Sequence, residues 1–197
     1  MLNTRKIAGV DEVGRGCLAG PVFAAAVILN DNINTKDIKD SKKISFKNRM
    51  LLSKYIKKNS IFAVAFASVE EIDKLNILNA SLLSMKRALD KLKQKPSMIY
   101  IDGMFAPKNL KIKYKTFIKG DEKIISIAAA SIVAKATRDR FMIKLGRSFP
   151  KYKWNKNFGY GTAEHLKSLK KYGITKHHRK KFKPVYNILM RSTRETL

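Results

Sequence analysis

Cysteine is nearly missing from this chain: Cys17 is the only one in 197 residues. No intramolecular disulfide can form, and a cysteine-rich zinc site is excluded with it. A chain without disulfides suits a reducing compartment. Cys17 stands in no nucleophile motif and reads as a small buried residue. Nor does any order or spacing of Ser, His and Asp, or of Cys and His, support a covalent hydrolase. No apolar run approaches the roughly 20 residues of a membrane helix. The segment MLNTRK, ahead of the first apolar stretch, lacks the apolar core of a signal peptide. Repeats and low-complexity linkers are also absent. These absences lead to the expectation of a soluble cytoplasmic protein with no membrane partner.

Acid is scarce as well. There are 15 Asp and Glu against 42 Lys and Arg, a formal charge of +27. That excess is far beyond what solubility requires and points to a polyanionic partner, nucleic acid first. The imbalance grows toward the end: from Lys123 to Leu197 there are 19 basic residues and three acidic ones, Asp139, Glu164 and Glu195. The C-terminal part is the better candidate for a phosphate-facing surface. A hydrophobic fraction of 45% provides for one core, or a core with a small appended unit.

Apolar runs and turn residues divide the chain. Ile7–Val10 reads as a strand that meets Asp11 and Glu12, with Gly14-Arg15-Gly16 just beyond. Pro21–Leu29 and Ile61–Val69 read as further strands, and Ser45 as the N-cap of a helix over Phe46–Lys58 with Met50, Leu51 and Ile56 among its apolar positions. Strands joined this closely are expected to be antiparallel, because parallel neighbours need long crossovers. Glu70–Leu92 has a helical pattern in two pieces, broken near Asn76–Asn79. Its stripe of Leu82, Met85, Ala88, Leu89 and Leu92 is ordinary core. Met98–Ile101 is a short strand that delivers Asp102. A possible strand at Tyr114–Ile118 precedes Asp121, which sits at or just before a long helix reaching about Leu145. Alanines and Ser131 make one surface of that helix small enough for another backbone to lie close. Lys151–Phe158 reads as a loop, Thr162 as the N-cap of a helix ending before Gly173, and Pro184 as the opening of a last helix over Val185–Met190.

The few acids carry the chemistry. Asp11-Glu12, Asp102 and Asp121 stand at the ends of predicted elements, and such ends can meet at one rim of a sheet. Two readings are open. The acids are separate caps and ion-pair partners, or they converge on a hard cation such as Mg²⁺ or Mn²⁺, which relieves their mutual repulsion. Neighbouring strand residues point to opposite faces, so Asp11 and Glu12 can share a cation only if the strand bends or one acts from the other side. Gly14–Gly16 is either a tight turn or a place of close backbone approach. Any single Lys here reads first as a solvated charge.

The stretch GVDEVGRGCLAGPV resembles the opening signature of ribonuclease HII, the type 2 ribonuclease H. The likeness continues, in the family's order, through DSKK at 40–43, IDG at 101–103 and KGDEK at 119–123. It goes on through IAAASIVAKATRDR at 127–140, GYGTAEH at 159–165 and HHRKKFKPV at 177–185. The resemblance implies an α/β fold, a ribonuclease H-like mixed sheet flanked by helices with a small C-terminal helical extension. Residues 1–161 would be the catalytic core and 162–197 a basic segment beside it.

It also implies a divalent-metal-dependent endonuclease. Such an enzyme hydrolyses the RNA strand of RNA–DNA hybrids and cuts at ribonucleotides embedded in duplex DNA, leaving 5′-phosphate and 3′-OH ends. The residues matching the family's catalytic and metal-binding set are Asp11, Glu12, Asp102 and Asp121, with Mn²⁺ or Mg²⁺ as cofactor. Substrate contacts implied by the resemblance are Gly14, Arg15 and Gly16 at the ribonucleotide, Tyr160 on the following sugar, and Ser41 and Lys42 at phosphates. Lys43, Lys135 and the His177-His178-Arg179 cluster are weaker phosphate candidates. Asp139, with Arg138 and Arg140 beside it, reads as a structural ion-pair partner, and His165 as structural or a neighbour of the site. The chain is expected to work as a monomer. Two alternatives stand beside this one. A type 3 ribonuclease H usually carries a further N-terminal domain, and here the motif begins at Ile7. A non-catalytic basic RNA-binding protein accounts for the charge but not for the ordered acids.

Overall fold

The computed structural model describes residues 6–39 and 44–194. Ser41, Lys42 and Lys43 therefore lie outside the described residues. Strand β1 (Ile7–Val13) pairs antiparallel with β2 (Val22–Leu29), and β2 pairs antiparallel with β3 (Ser60–Ala67). Strand β4 (Met98–Asp102) returns parallel to β1 on its other side, and β5 (Tyr114–Phe117) adds in parallel to β4. The order across the five-stranded sheet is β3-β2-β1-β4-β5. The short β1–β2 connection makes that pair antiparallel, whereas β2 and β3 are antiparallel although residues 30–59, with α1 and α2, lie between them. β4 reaches its place after a helical crossover.

The helices follow in order: α1 (Lys36–Lys39), α2 (Phe46–Lys58), α3 (Val69–Leu75), α4 (Ile77–Asp90), α5 (Gly120–Lys123), α6 (Ile125–Ser148), α7 (Trp154–Asn157), α8 (Ala163–Tyr172) and α9 (Lys183–Arg194). The starts of α2, α3, α4 and α8 are set by capping side chains. Ser45 accepts from Asn48 N–H, and Thr162 from His165 N–H. Ser68 and Glu71 form a reciprocal capping box at α3. Asn76 takes a left-handed φ of 68°, ends α3 and caps α4, which is the expected break.

Both faces of the sheet are covered. On one, Ala25 and Val27 pack against Ile38, Leu52 and Ile56 and the small face of α6. On the other, Val10, Ala24, Ala26, Ile99 and Ile101 pack against Met85 and Ala88 of α4. A third apolar cluster joins the C-terminal segment to the rest: Leu18, Ala19 and Met142 meet Tyr152, Trp154, Leu169 and Val185.

Several expectations need correction. β1 runs past both acids to Val13, so Asp11 and Glu12 lie within the strand. Residue 61–69 strand character stops at Ala67, because the capping box takes Ser68 and Val69 into a helix. Leu51 is 60% exposed; Leu52 and Ile56 supply the buried face of α2. The helix after Asp121 is broken at Ile124, whose extended backbone separates α5 from α6. The 151–158 stretch is not a plain loop but a turn of 3-10 helix and the short α7. The last helix is longer than expected and begins one residue before Pro184.

Candidate active site

Register brings the first two acids together. Val10 pairs with Ile101 in the parallel ladder, so Asp11 and Asp102 follow side by side on adjacent strands, about 4.8 Å apart as strands are. Alternation also puts them on one face. Val10 and Ile101 point to α4, hence Asp11 and Asp102 point toward α6. Gly9, two residues before Asp11 on that face, lets α6 come so close that a Cβ there would overlap the backbone of Ser126. This approach carries the Ser131 hydroxyl to Asp11.

Asp121 arrives by a different route. Gly120 N–H donates to Asp102 Oδ1 at 2.7 Å. A Cβ on Gly120 would press on Ile127 Cδ1 at 2.7 Å, so glycine permits this contact. Asp121 is the next residue, in the first turn of α5.

Glu12 stays in regular ladder register opposite Ala24, so no bulge interrupts the strand there. Its side chain leaves from the face opposite Asp11, and Oε1 accepts from Arg15 Nη1 at 3.1 Å. Glu12 N–H donates to Asp11 Oδ1 at 2.7 Å. Among the described residues, no three His, Cys, Asp or Glu side chains stand grouped as a ready-made metal cage. The acids nevertheless feel one another. Burial, then the charge of Glu12, push the Asp11 carboxyl well above the usual range. The Ser131 hydrogen bond opposes them, and Asp102 adds to the rise. Glu12 is also pushed up by burial, with Arg15 acting against the rise and Asp102 adding to it. Buried carboxylates that repel in this way are a donor set suited to a hard divalent cation.

Beside the acids runs the glycine loop. Gly14 has φ +93° and lies against Arg138, where a Cβ would meet the guanidinium Nε. Arg15 and Gly16 are exposed, and a Cβ on Gly16 would meet nothing within 4 Å. Cys17 forms a backbone bridge with Tyr160, and their side chains are hydrogen-bonded. Burial raises the Tyr160 hydroxyl to about 12, so it stays protonated, and Lys135 Nζ lies 5.8 Å from its ring centroid. Cys17 is fully buried, as its size suggested.

Other candidates fall away. His178 and Arg179 are fully buried and do not face a phosphate surface. Trp154 Nε1 donates to His165 Nε2 at 3.0 Å, and His178 Nε2 lies 3.2 Å from the same nitrogen. Burial lowers the pKa of His165, and burial with its neighbours takes His178 to about 3, so both rings are neutral packing groups. Asp139 is structural, but its partners are Arg49 at 3.1 Å and Lys135 at 4.0 Å. Arg138 turns instead to three backbone carbonyls. Ser131, Arg138 and Arg179 matter to the site, and sequence reasoning missed their roles. The small surface of α6 was the only signal for the first, and the two arginines were masked by the many around them.

A family model described as ribonuclease HII matches residues 8–185. The chain belongs to the ribonuclease HII family. The ribonuclease HII of Pelagibacter ubique (strain HTCC1062) is 59% identical over 93% of this chain and 98% of that one. That of Neisseria meningitidis serogroup B is 50% identical, over 92% and 94%. Among solved structures, the ribonuclease H2 from Pyrococcus horikoshii OT3 superposes with a TM-score of 0.78 at 29% identity, covering 94% of this chain and 98% of that one. A Bst ribonuclease HIII in complex with Mn²⁺ has a TM-score of 0.74 at 18% identity, covers 98% of this chain and 72% of its own, and shares the fold. The activity is that of a ribonuclease H, an endonuclease that hydrolyses RNA in RNA–DNA hybrids. Cutting at embedded ribonucleotides to leave 5′-phosphate and 3′-OH ends is typical of the family. Family members depend on a divalent metal, and among the described residues no helix is long and apolar enough to cross a membrane.

Proposed function

We propose that Asp11, Glu12, Asp102 and Asp121 hold the divalent cations of this ribonuclease, Mn²⁺ or Mg²⁺. The observation that carries the reading is the parallel register that sets Asp11 beside Asp102 under α6, with Gly120 tying Asp121 to the same corner. Bound there, such cations supply charge for the scissile phosphate and an acidified water for in-line attack. The protein's own part is to orient. Ser131 and Glu12 N–H fix the Asp11 carboxylate, and Gly120 N–H fixes Asp102. The raised Asp11 and Glu12 carboxyls couple metal uptake to proton release, so the site fills less readily in acid.

Gly14, Arg15 and Gly16 take the ribonucleotide. Only the 2′-OH distinguishes it from its DNA neighbours, and the open space over Gly16 admits a sugar. Tyr160 packs on the next sugar, its position fixed through Cys17 and through His165 Nδ1, 2.9 Å from its carbonyl oxygen. Exposed lysines, Lys180 and Lys181 among them, supply phosphate contacts. Ser41 and Lys42 belong to this reading by resemblance alone. The protein works as a monomer in the cytoplasm, with RNA–DNA hybrid or ribonucleotide-bearing duplex as its partner. Residues 162–197 serve as a basic segment of the same body. The test is cleavage by Asp102→Asn. The variant should bind duplex near-normally and cut undetectably, whereas wild-type turnover in Asp102→Asn or in EDTA would overturn the assignment.

A further inference from the structure

Two arginines lie beneath the glycine loop, both with 0% exposure. Arg138 donates to the carbonyls of Pro21 at 3.0 Å, Phe158 at 2.9 Å and Ala19 at 3.1 Å. Arg179 donates to Gly14 O at 2.7 Å, Arg15 O at 2.8 Å and Gly20 O at 2.8 and 3.0 Å. Burial brings the Arg179 pKa down to about 10, which leaves it charged at neutral pH.

The carbonyl contacts have a geometric consequence. The described residues contain no cis peptide, and in a trans peptide C=O and N–H point in opposite directions. With Gly14 O and Arg15 O both drawn inward to Arg179, the N–H groups of Arg15 and Gly16 face outward. Both residues are exposed. Two successive outward N–H groups form a small nest for an oxygen atom, and the buried guanidinium behind them adds positive potential. Lysine could not replace Arg179 here, because one ammonium lacks the planar fork that reaches three carbonyls.

We propose that Arg179 is a positioning residue for ribonucleotide selectivity, holding the Gly14 and Arg15 carbonyls inward so that the Arg15 and Gly16 N–H groups meet the 2′-oxygen. This rests on the reading of Gly14–Gly16 as the ribose contact. The experiment separates the two ideas. In EDTA, Kd is measured for a duplex with one ribonucleotide and for the all-DNA duplex of the same sequence, with wild type, Gly16→Ala and Arg179→Lys. Gly16→Ala meets no protein atom, so it perturbs only the approach of the sugar.

The ratio of the two Kd values should fall about five- to tenfold in both variants, the weight of one or two hydrogen bonds. Affinity for all-DNA duplex should change less than twofold. A general loss of folded protein would weaken both duplexes alike and leave the ratio intact. If Gly16→Ala lowers the ratio and Arg179→Lys does not, the Arg179 role is wrong and the loop reading stands. If Gly16→Ala leaves the ratio unchanged, the loop reading falls and the Arg179 role with it. Should Arg179→Lys fail to fold, Arg179→Gln, which keeps a planar amide donor but not the full fork, takes its place: the ratio should again fall, and a wild-type ratio would overturn the proposal.

Discussion

Replacing Asp11 by asparagine should stabilise the metal-free protein at neutral pH, although it destroys the site. Asp11 is 6% exposed, and both burial and the charge of Glu12 oppose its ionisation. A carboxyl whose folded pKa lies above its unfolded value costs stability once the pH exceeds the unfolded value. The cost is complete above the folded one. Each tenfold change in proton affinity is worth about 1.4 kcal/mol. Against this gain, Glu12 N–H would bond a neutral amide oxygen instead of a carboxylate, a loss of roughly 0.5 kcal/mol. Ser131 likewise loses a charged acceptor, but relief of burial and of the Glu12 repulsion outweighs both losses, and for a chain of this size each kcal/mol moves Tm by roughly 2–4 °C. The assay is thermal unfolding of both proteins in EDTA from pH 4 to pH 8. The Tm of Asp11→Asn should exceed that of wild type by a few degrees at pH 8, and the gap should close as the pH falls toward 4. A variant less stable than wild type at pH 8, or a gap that ignores pH, would refute the electrostatic account of Asp11.

Arg138→Met should lower stability by roughly 3 kcal/mol or more, because it orphans the carbonyls of Ala19, Pro21 and Phe158 at about 1–3 kcal/mol each; urea unfolding checks this, and a loss under 1 kcal/mol would contradict it. Replacing Lys180 and Lys181 together by alanine should reduce the slope of log Kd against log salt by up to about two, with KM rising more than kcat falls; an unchanged slope would remove them from the phosphate surface. Tyr160→Ala should lower cleavage at one embedded ribonucleotide more than cleavage of a long hybrid, which offers many registers. Equal losses in a paired assay would make Tyr160 a packing residue only.

How far the sequence disclosed all this depends on the range of the forces involved. Local grammar was legible. Ser45, Thr162 and Asn76 act at their helix ends as side-chain chemistry dictates, and a short connection makes β1 and β2 antiparallel; β3 is antiparallel as expected, but across a long helical connection that did not require it. The alternation rule foresaw that Asp11 and Glu12 would leave β1 on opposite faces unless it bent. What it could not fix was that β1 stays regular and that Arg15 takes Glu12. The meeting of Asp11 with Asp102 depends on parallel register between strands about 90 residues apart, which spacing alone does not encode. Resemblance supplied that pairing before geometry did. Arg179 and His178 misled because charge and polarity suggest a surface, whereas tertiary packing buried them with partners from distant segments. Asp139 was read as structural from its flanking arginines, yet its ion pair reaches across to Arg49 on another helix.

The most direct test of the central claim is the anomalous diffraction of Mn²⁺ in crystals of the wild-type protein. The account predicts density bounded by the carboxylates of Asp11, Glu12, Asp102 and Asp121. Mn²⁺ bound away from these residues, or none at concentrations that support cleavage, would contradict it.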